Sequence, residues 1–235
     1  MLTEIVPACV ATVETTSEPA DAPLHPAEAA LVAHAVTKRR LEFASVRWCA
    51  RQAMARLGLA PGPVLPGHRG VPQWAPGVVG SMTHCAGYRA AALAYGDDLA
   101  ALGIDAEPNA PLPDGLLESI ALPQELRWVR ALTRTRPEVC WDRLLFSIKE
   151  AVYKTWFPLT GHELDFHDAL VAVDPATGAF RAALLPDRAT LPAGAPRGFA
   201  GRWAAAGGLV VSATWVPARV RTHESAPRAR TGSAV

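Results

Sequence analysis

The sequence predicts an α+β fold of two units in one chain, and three observations carry that expectation. Helical periodicity precedes a run of short strands in the first half of the 235 residues. The same order returns in the second half, and the first three strands are separated by brief Gly-bearing turns rather than crossover helices. Turns that short favour antiparallel neighbours. No internal repeat is visible in the residues themselves.

Residues 1–24 mix Thr, Glu, Ser, Pro and Ala without a steady period and read as an irregular arm or an edge strand. From Pro26 to Leu57 apolar residues recur at three- and four-residue steps, which predicts helix. Pro26 suits a first helical turn and Gly58 a stop. A Pro/Gly-rich stretch over 61–76 carries the turn Gly67-His68-Arg69-Gly70. Strands are predicted at 78–83, 88–95 and 99–106 as an antiparallel meander, followed by a Pro-rich connection over 107–115. Helices are expected over 123–132 and 141–157, then strands over 169–173, 179–185, 199–205 and 209–216. The Arg-, Ser- and Pro-containing stretch from 217 predicts a disordered tail. The chain thus divides into an arm (1–24), a first lobe (25–109), a second lobe (110–216) and the tail (217–235).

Composition excludes several classes. Lys and Arg number 23 against 22 Asp and Glu, a net charge of +1, and half the residues are hydrophobic, which describes a globular protein. No apolar run approaches the roughly 20 residues of a membrane span, and the N-terminus lacks the basic flank of a signal peptide, so a cytoplasmic protein is expected. The four cysteines lie far apart with no CxxC pair and read as reduced thiols, not zinc ligands. Near-neutrality is a cancellation: residues 38–56 hold six basic residues and one acidic, whereas 90–126 hold seven acidic and no basic. No aromatic interleaving accompanies the basic block, so nucleic acid is not an expected partner.

Four features carry chemistry. Gly103-Ile104-Asp105-Ala106-Glu107 ends a strand, where residues two apart face the same way, so Asp105 and Glu107 point together. Two such carboxylates repel unless a proton or cation intervenes, and Mg²⁺ is a natural partner; alone, the pair also fits a solvated strand end. Glu150 and Lys154 share one face of a helix whose Trp141, Leu145, Ile148, Val152 and Trp156 predict burial. Charges on such a helix need partners, and Glu150 would be a third carboxylate if the helix faces Glu107. Ser81-Met82-Thr83-His84 leaves a strand for a turn, where hydroxyls and a histidine can donate to phosphate. Arg39 or Arg40, eight or seven residues before Arg47, can lie near one helical face with it as a phosphate clamp, backed by Arg69. Only Lys38, Lys149 and Lys154 are lysines.

These segments, in this order from Lys38 to Thr160, resemble the phosphopantetheinyl transferases, in particular the larger surfactin-synthetase-activating type and its enterobactin-component-D-like branch. The motifs are Lys38-Arg39-Arg40-Leu41-Glu42-Phe43, Gly67-His68-Arg69-Gly70-Val71-Pro72, Gly80-Ser81-Met82-Thr83-His84-Cys85, Gly103 to Glu107, and Phe146 to Lys154. The resemblance implies a pseudo-dimer of two similar α+β lobes, each an antiparallel sheet with a packed long helix, and coenzyme A in the cleft between them. It implies transfer of the 4′-phosphopantetheine arm to a serine of apo-acyl or peptidyl carrier proteins, with release of adenosine 3′,5′-bisphosphate. By position, Asp105, Glu107 and Glu150 would hold Mg²⁺, for which Mn²⁺ can substitute, and Glu150 would be the base. Arg39, Arg47, Arg69 and His84, with Thr83 beside it, would meet the adenosine 3′-phosphate and nearby phosphates. Lys154, and with it Lys149, would reach the pyrophosphate. Arg69 stands where related proteins often carry Lys. A monomer is implied, because both lobes lie in one chain. The rival readings are another Mg²⁺-dependent phosphodiesterase or phosphotransferase and an inactive carrier-binding homologue.

Overall fold

The structure is a computed structural model that describes residues 1–19, 21–185 and 191–218, so the expected tail lies, beyond Ala218, outside the described residues. In chain order the first elements are β1 (Ala11–Thr15), α1 (Pro26–Leu31), α2 (Thr37–Arg56), β2 (Leu65–Pro66), β3 (Pro72–Gln73), β4 (Val78–Cys85), β5 (Tyr88–Tyr95) and β6 (Leu99–Pro108). There follow α3 (Leu116–Ile120), α4 (Pro123–Thr135), α5 (Trp141–Thr160), β7 (Ala169–Asp174), β8 (Ala179–Leu184), β9 (Gly198–Ala206) and β10 (Leu209–Pro217). No described helix is long and apolar enough to cross a membrane.

The first sheet has the order β1-β5-β4, all antiparallel, so the N-terminal arm supplies an edge strand. Its central strand is almost all alanine, Ala90, Ala91, Ala92 and Ala94, with Leu93, every one buried. Small side chains let α2 lie close on the face of Ala91 and Leu93, where Cys49, Ala50, Ala53 and Met54 close one core. The opposite face, Ala90, Ala92 and Ala94, packs on Leu102, Ile104, Val211 and Ala213 of the second sheet. That sheet has the order β6-β10-β9-β8-β7 and carries α5 on its outer face through Leu144, Leu145, Ile148, Val152 and Trp156.

Two expectations are corrected. The single helix over 26–57 is two: α1 ends at Leu31, and α2 begins after Val36, whose backbone is extended. No Gly or Pro marks that break, so its cause is tertiary: buried Glu28 anchors α1 in one direction while the alanine strand sets another for α2. The three-strand meander is also not formed. β4 and β5 are a hairpin, but β6 leaves the first sheet and pairs with β10, Asp105 opposite Ser212 and Glu107 opposite Val210. Alternating turns predict antiparallel neighbours without saying which sheet each strand joins.

The two units share a device built on a helix-opening proline. Pro26 and Pro123 each open a helix, and the Glu two residues later, Glu28 or Glu125, is fully buried. Glu28 accepts from the backbone of His25 (3.0 Å) and Val64 (2.8 Å) and from Arg51 of α2 (2.9 Å). Glu125 accepts from the backbone of Leu122 (2.7 Å) and Val171 (2.7 Å) and pairs with Lys149 of α5 (2.8 Å). In each lobe one buried carboxylate therefore fixes a short helix, a distant backbone segment and the long helix together.

Candidate active site

Between the two long helices lies a cleft of about 600 Å³. One wall is α2, with Arg39, Phe43 and Arg47, and the end of β4, with Ser81, Thr83 and His84; the other is α5, with Glu150, Tyr153 and Lys154. Arg69 closes one side from the turn His68–Gly70, where it holds a left-handed backbone (φ 57°). It is exposed and paired with equally exposed Glu163 at 2.8 Å, an ion pair too solvated to hold it from a ligand.

The close approach of α5 to β6 is what assembles the second wall. Gly103 is the enabling residue: a Cβ there would collide with the Ala151 carbonyl and the Thr155 side chain. A hydrogen bond between the Ser147 and Ser212 hydroxyls (2.8 Å) and one from Thr155 to the Thr214 carbonyl (3.3 Å) fix the rotation of the helix. Gly103, Asp105 and Glu107 share the strand face under α5, as their spacing predicts. Lys154 then meets Asp105 at 2.7 Å, and Arg143, one of the residues that sequence reasoning missed, meets Glu107 at 3.0 Å. Arg143 also donates to the carbonyls of Ala110 (3.0 Å) and Pro111 (2.8 Å), tying the Pro-rich connection to α5.

The electrostatics follow from this packing. Burial pushes the Glu150 carboxyl above the usual range; Lys154 opposes the shift and Asp105 adds to it. Glu150 accepts no hydrogen bond among the described residues, so it is a carboxylate open to a proton or a ligand. Glu107 is likewise raised, first by burial and then by Asp105, against the pull of Arg143. Burial works against the Lys154 ammonium, but Asp105, Glu150 and Glu107 outweigh it and raise its pKa. His84 is lowered, by burial and then by the Arg39 guanidinium 3.2 Å from its Nε2. Arg39 can only donate, so Nε2 accepts and the ring is neutral. Cys85 is no nucleophile: burial, with Glu107 and Asp105, pushes its thiol up to about 12.

Asp105 is 4% exposed and its Oδ2 is a buried oxygen without a partner. An orphaned carboxylate oxygen beside two other carboxylates suits a hard divalent cation. Among the described residues, however, no group of three or more His, Cys, Asp or Glu side chains is close enough to form a ready metal cage.

Of the residues picked out from sequence, Arg39, Arg47, Arg69, Thr83, His84, Glu150 and Lys154 line one cleft, with Asp105 and Glu107 under the α5 wall. Arg47 is largely buried: its Nε donates to Val64 O (3.0 Å) and its guanidinium sits 3.2 Å over the Phe43 ring. Burial lowers its pKa to about 10. Lys149 is a correction. It points to the far side of α5, where its ammonium donates to the Phe166 and Ala169 carbonyls (2.5 and 3.0 Å) and pairs with Glu125, so all three of its protons are engaged inside the second lobe. A smaller cavity of about 210 Å³ lies there, bordered by Glu150, Val152, Tyr153, Leu164 and Phe166. Glu28 and Glu125 were also missed, and the signal was available: Pro-x-Glu recurs, with Arg51 and Lys149 at 23 and 24 residues' distance.

Comparison with known proteins agrees with this geometry. Residues 27–94 match the model of the 4′-phosphopantetheinyl transferase N-terminal domain, and residues 101–193 that of the 4′-phosphopantetheinyl transferase superfamily. The division falls at the turn before β6, where the second sheet begins. The chain is 54% identical to the 4′-phosphopantetheinyl transferase Svp of Streptomyces mobaraensis over 95% of its length and 92% of the relative's. It is 44% identical to Npt of Nocardia iowensis, over 91% of this chain and 98% of that one. PptT of Mycobacterium tuberculosis is also 44% identical, over 91% and 96%. With its two lobes, its cleft and these relatives, the chain belongs to the 4′-phosphopantetheinyl transferases, enzymes that move the phosphopantetheine arm of coenzyme A onto carrier proteins.

Proposed function

We propose that this chain transfers the arm to a serine of apo-acyl or peptidyl carrier proteins in a Mg²⁺-dependent reaction that releases adenosine 3′,5′-bisphosphate. The observation that carries the reading is Glu150, a carboxylate with no hydrogen bond among the described residues, close to Asp105 and Lys154 on one wall while Arg39 and His84 face the cleft from the other. Arg39 and His84 bind the 3′-phosphate, with Arg69 swinging from Glu163 to join them. Lys154 donates to the pyrophosphate. The small cavity beside Glu150 and Tyr153 receives the uncharged arm.

Asp105, Glu107 and Glu150 would hold Mg²⁺, which when bound would offset the charge of the pyrophosphate. The serine oxygen attacks the β-phosphorus as its proton passes to Glu150, whose pKa burial raises above the usual carboxylate range. The phosphorus–oxygen bond to the α-phosphate breaks, and the electron pair leaves on the bisphosphate, stabilised by Lys154. One chain supplies both walls, which supports action as a monomer. The test is mass spectrometry of an apo-carrier protein incubated with the chain, coenzyme A and Mg²⁺. A gain of one phosphopantetheinyl group is expected; an unmodified carrier overturns the reading.

A further inference from the structure

Resting on the reading of this cleft as the coenzyme A site, we propose that Glu28 is a positioning residue for Arg47, so that a carboxylate buried under α1 shapes the phosphate-binding wall. Its two oxygens divide the work. Oε2 accepts from Arg51 at 2.9 Å and from the His25 backbone at 3.0 Å. Oε1 accepts from the Val64 N–H at 2.8 Å and lies 3.7 Å from Arg47 Nε. The Val64 carbonyl in turn receives that Nε at 3.0 Å, so residue 64 is clasped on both sides, its N–H by Glu28 and its C=O by Arg47. Glu28 and Val64 are both fully buried, which shields these contacts from water.

The consequence for Arg47 is both orientation and charge. One face of its guanidinium lies 3.2 Å over the Phe43 ring and its Nε is engaged by Val64, while the residue lines the cleft. A planar fork fixed at one face and one edge keeps its terminal N–H groups as the donors that a phosphate can use. Burial works against the charged form; Glu28 opposes that shift, and Arg39 and Arg51 add to it. The carboxylate that orients the guanidinium is therefore also the neighbour that sustains its charge. The second lobe differs here: Glu125 pairs with Lys149, whose three protons all stay inside the lobe. Glu28 serves two cations, and of the two it is Arg47 that lines the cleft.

The experiment is a double-mutant cycle on coenzyme A affinity, read by calorimetry without carrier, with steady-state turnover as the second readout. Glu28→Gln removes the charge at nearly constant shape. It should weaken coenzyme A binding about tenfold, the scale of one lost hydrogen bond to a charged group, and raise KM with kcat unchanged. In an Arg47→Gln background the same change should add no further loss. Glu28→Asp, which keeps the charge, should lose less, and it carries the cycle if Glu28→Gln does not fold. Arg51→Met, which removes the nearer cation, should lower the melting temperature yet leave coenzyme A affinity as in the wild type. Additive losses in the double variant, or an equal loss in Arg51→Met, overturn the proposal in favour of a general loosening of the first lobe. Wild-type affinity in Glu28→Gln, where Arg47→Gln binds weakly, overturns it alone. If Arg47→Gln binds coenzyme A as the wild type does, Arg47 is no ligand and the proposal falls with it; if the wild type binds none, the reading of the cleft itself fails.

Discussion

The helices α2 and α5 are each twenty residues long, lie on the outer faces of the two sheets and are each tied to a buried Pro-x-Glu carboxylate, yet they do opposite work. α2 keeps Lys38, Arg39 and Arg40 in water on its first turns and buries small side chains against alanines. α5 is apolar nearly all round, and the charges it keeps beneath it are all partnered or facing the cleft. The difference teaches that the same scaffold serves ligand capture where its charges are solvated and chemistry where they are buried, because burial, reinforced by a neighbouring carboxylate, raises the pKa of Glu150.

The comparison can be broken most sharply on α5. Glu150→Gln should cut turnover roughly 10³-fold, the scale of a lost general base, with the fold intact by circular dichroism; near-normal turnover would sink the assignment. Next come the twin anchors. Lys149→Met leaves Glu125 buried and uncompensated and should cost about 3–5 kcal/mol in denaturant unfolding. Arg51→Met should cost less, roughly 1.5–3 kcal/mol, because Arg47 still lies 3.7 Å from Glu28; equal losses would deny the asymmetry between the lobes. On α2, Arg39→Ala should raise the KM for coenzyme A about 10- to 100-fold with little change in kcat. With dephospho-coenzyme A the variant and wild type should behave alike.

The smallest effect is in pH. His84 is neutral in the free protein because burial and Arg39 hold its pKa below the ordinary 6.5. A bound 3′-phosphate raises it, so coenzyme A binding takes up a proton in the window between the depressed and the raised value. Affinity should therefore rise as pH falls through that window and level off below the depressed value. Calorimetry in buffers of different ionisation enthalpy reads the proton, and His84→Asn should abolish the dependence.

Much of this was legible in the sequence because period and spacing are local. The shared face of Asp105 and Glu107 and that of Glu150 and Lys154 follow from backbone geometry alone. What was not legible was set by contacts far along the chain. Lys149 and Lys154 read alike in a motif, but five residues on a helix is more than one turn, and they face opposite ways. The sheet that β6 joins depends on β10, about a hundred residues later, and Arg143 is informative only once α5 lies over Glu107.

The departure of β6 from the first sheet has one more consequence, for solubility. β6 is the edge strand of a five-stranded sheet, and an uncovered edge recruits strands from other molecules. The Ser81 and Thr83 hydroxyls of the first lobe accept from the Ile104 and Ala106 N–H groups, two that such a recruit would need. Each lobe is thus a chaperone for the other, and a second lobe expressed alone should self-associate through the strand that bears its acidic residues.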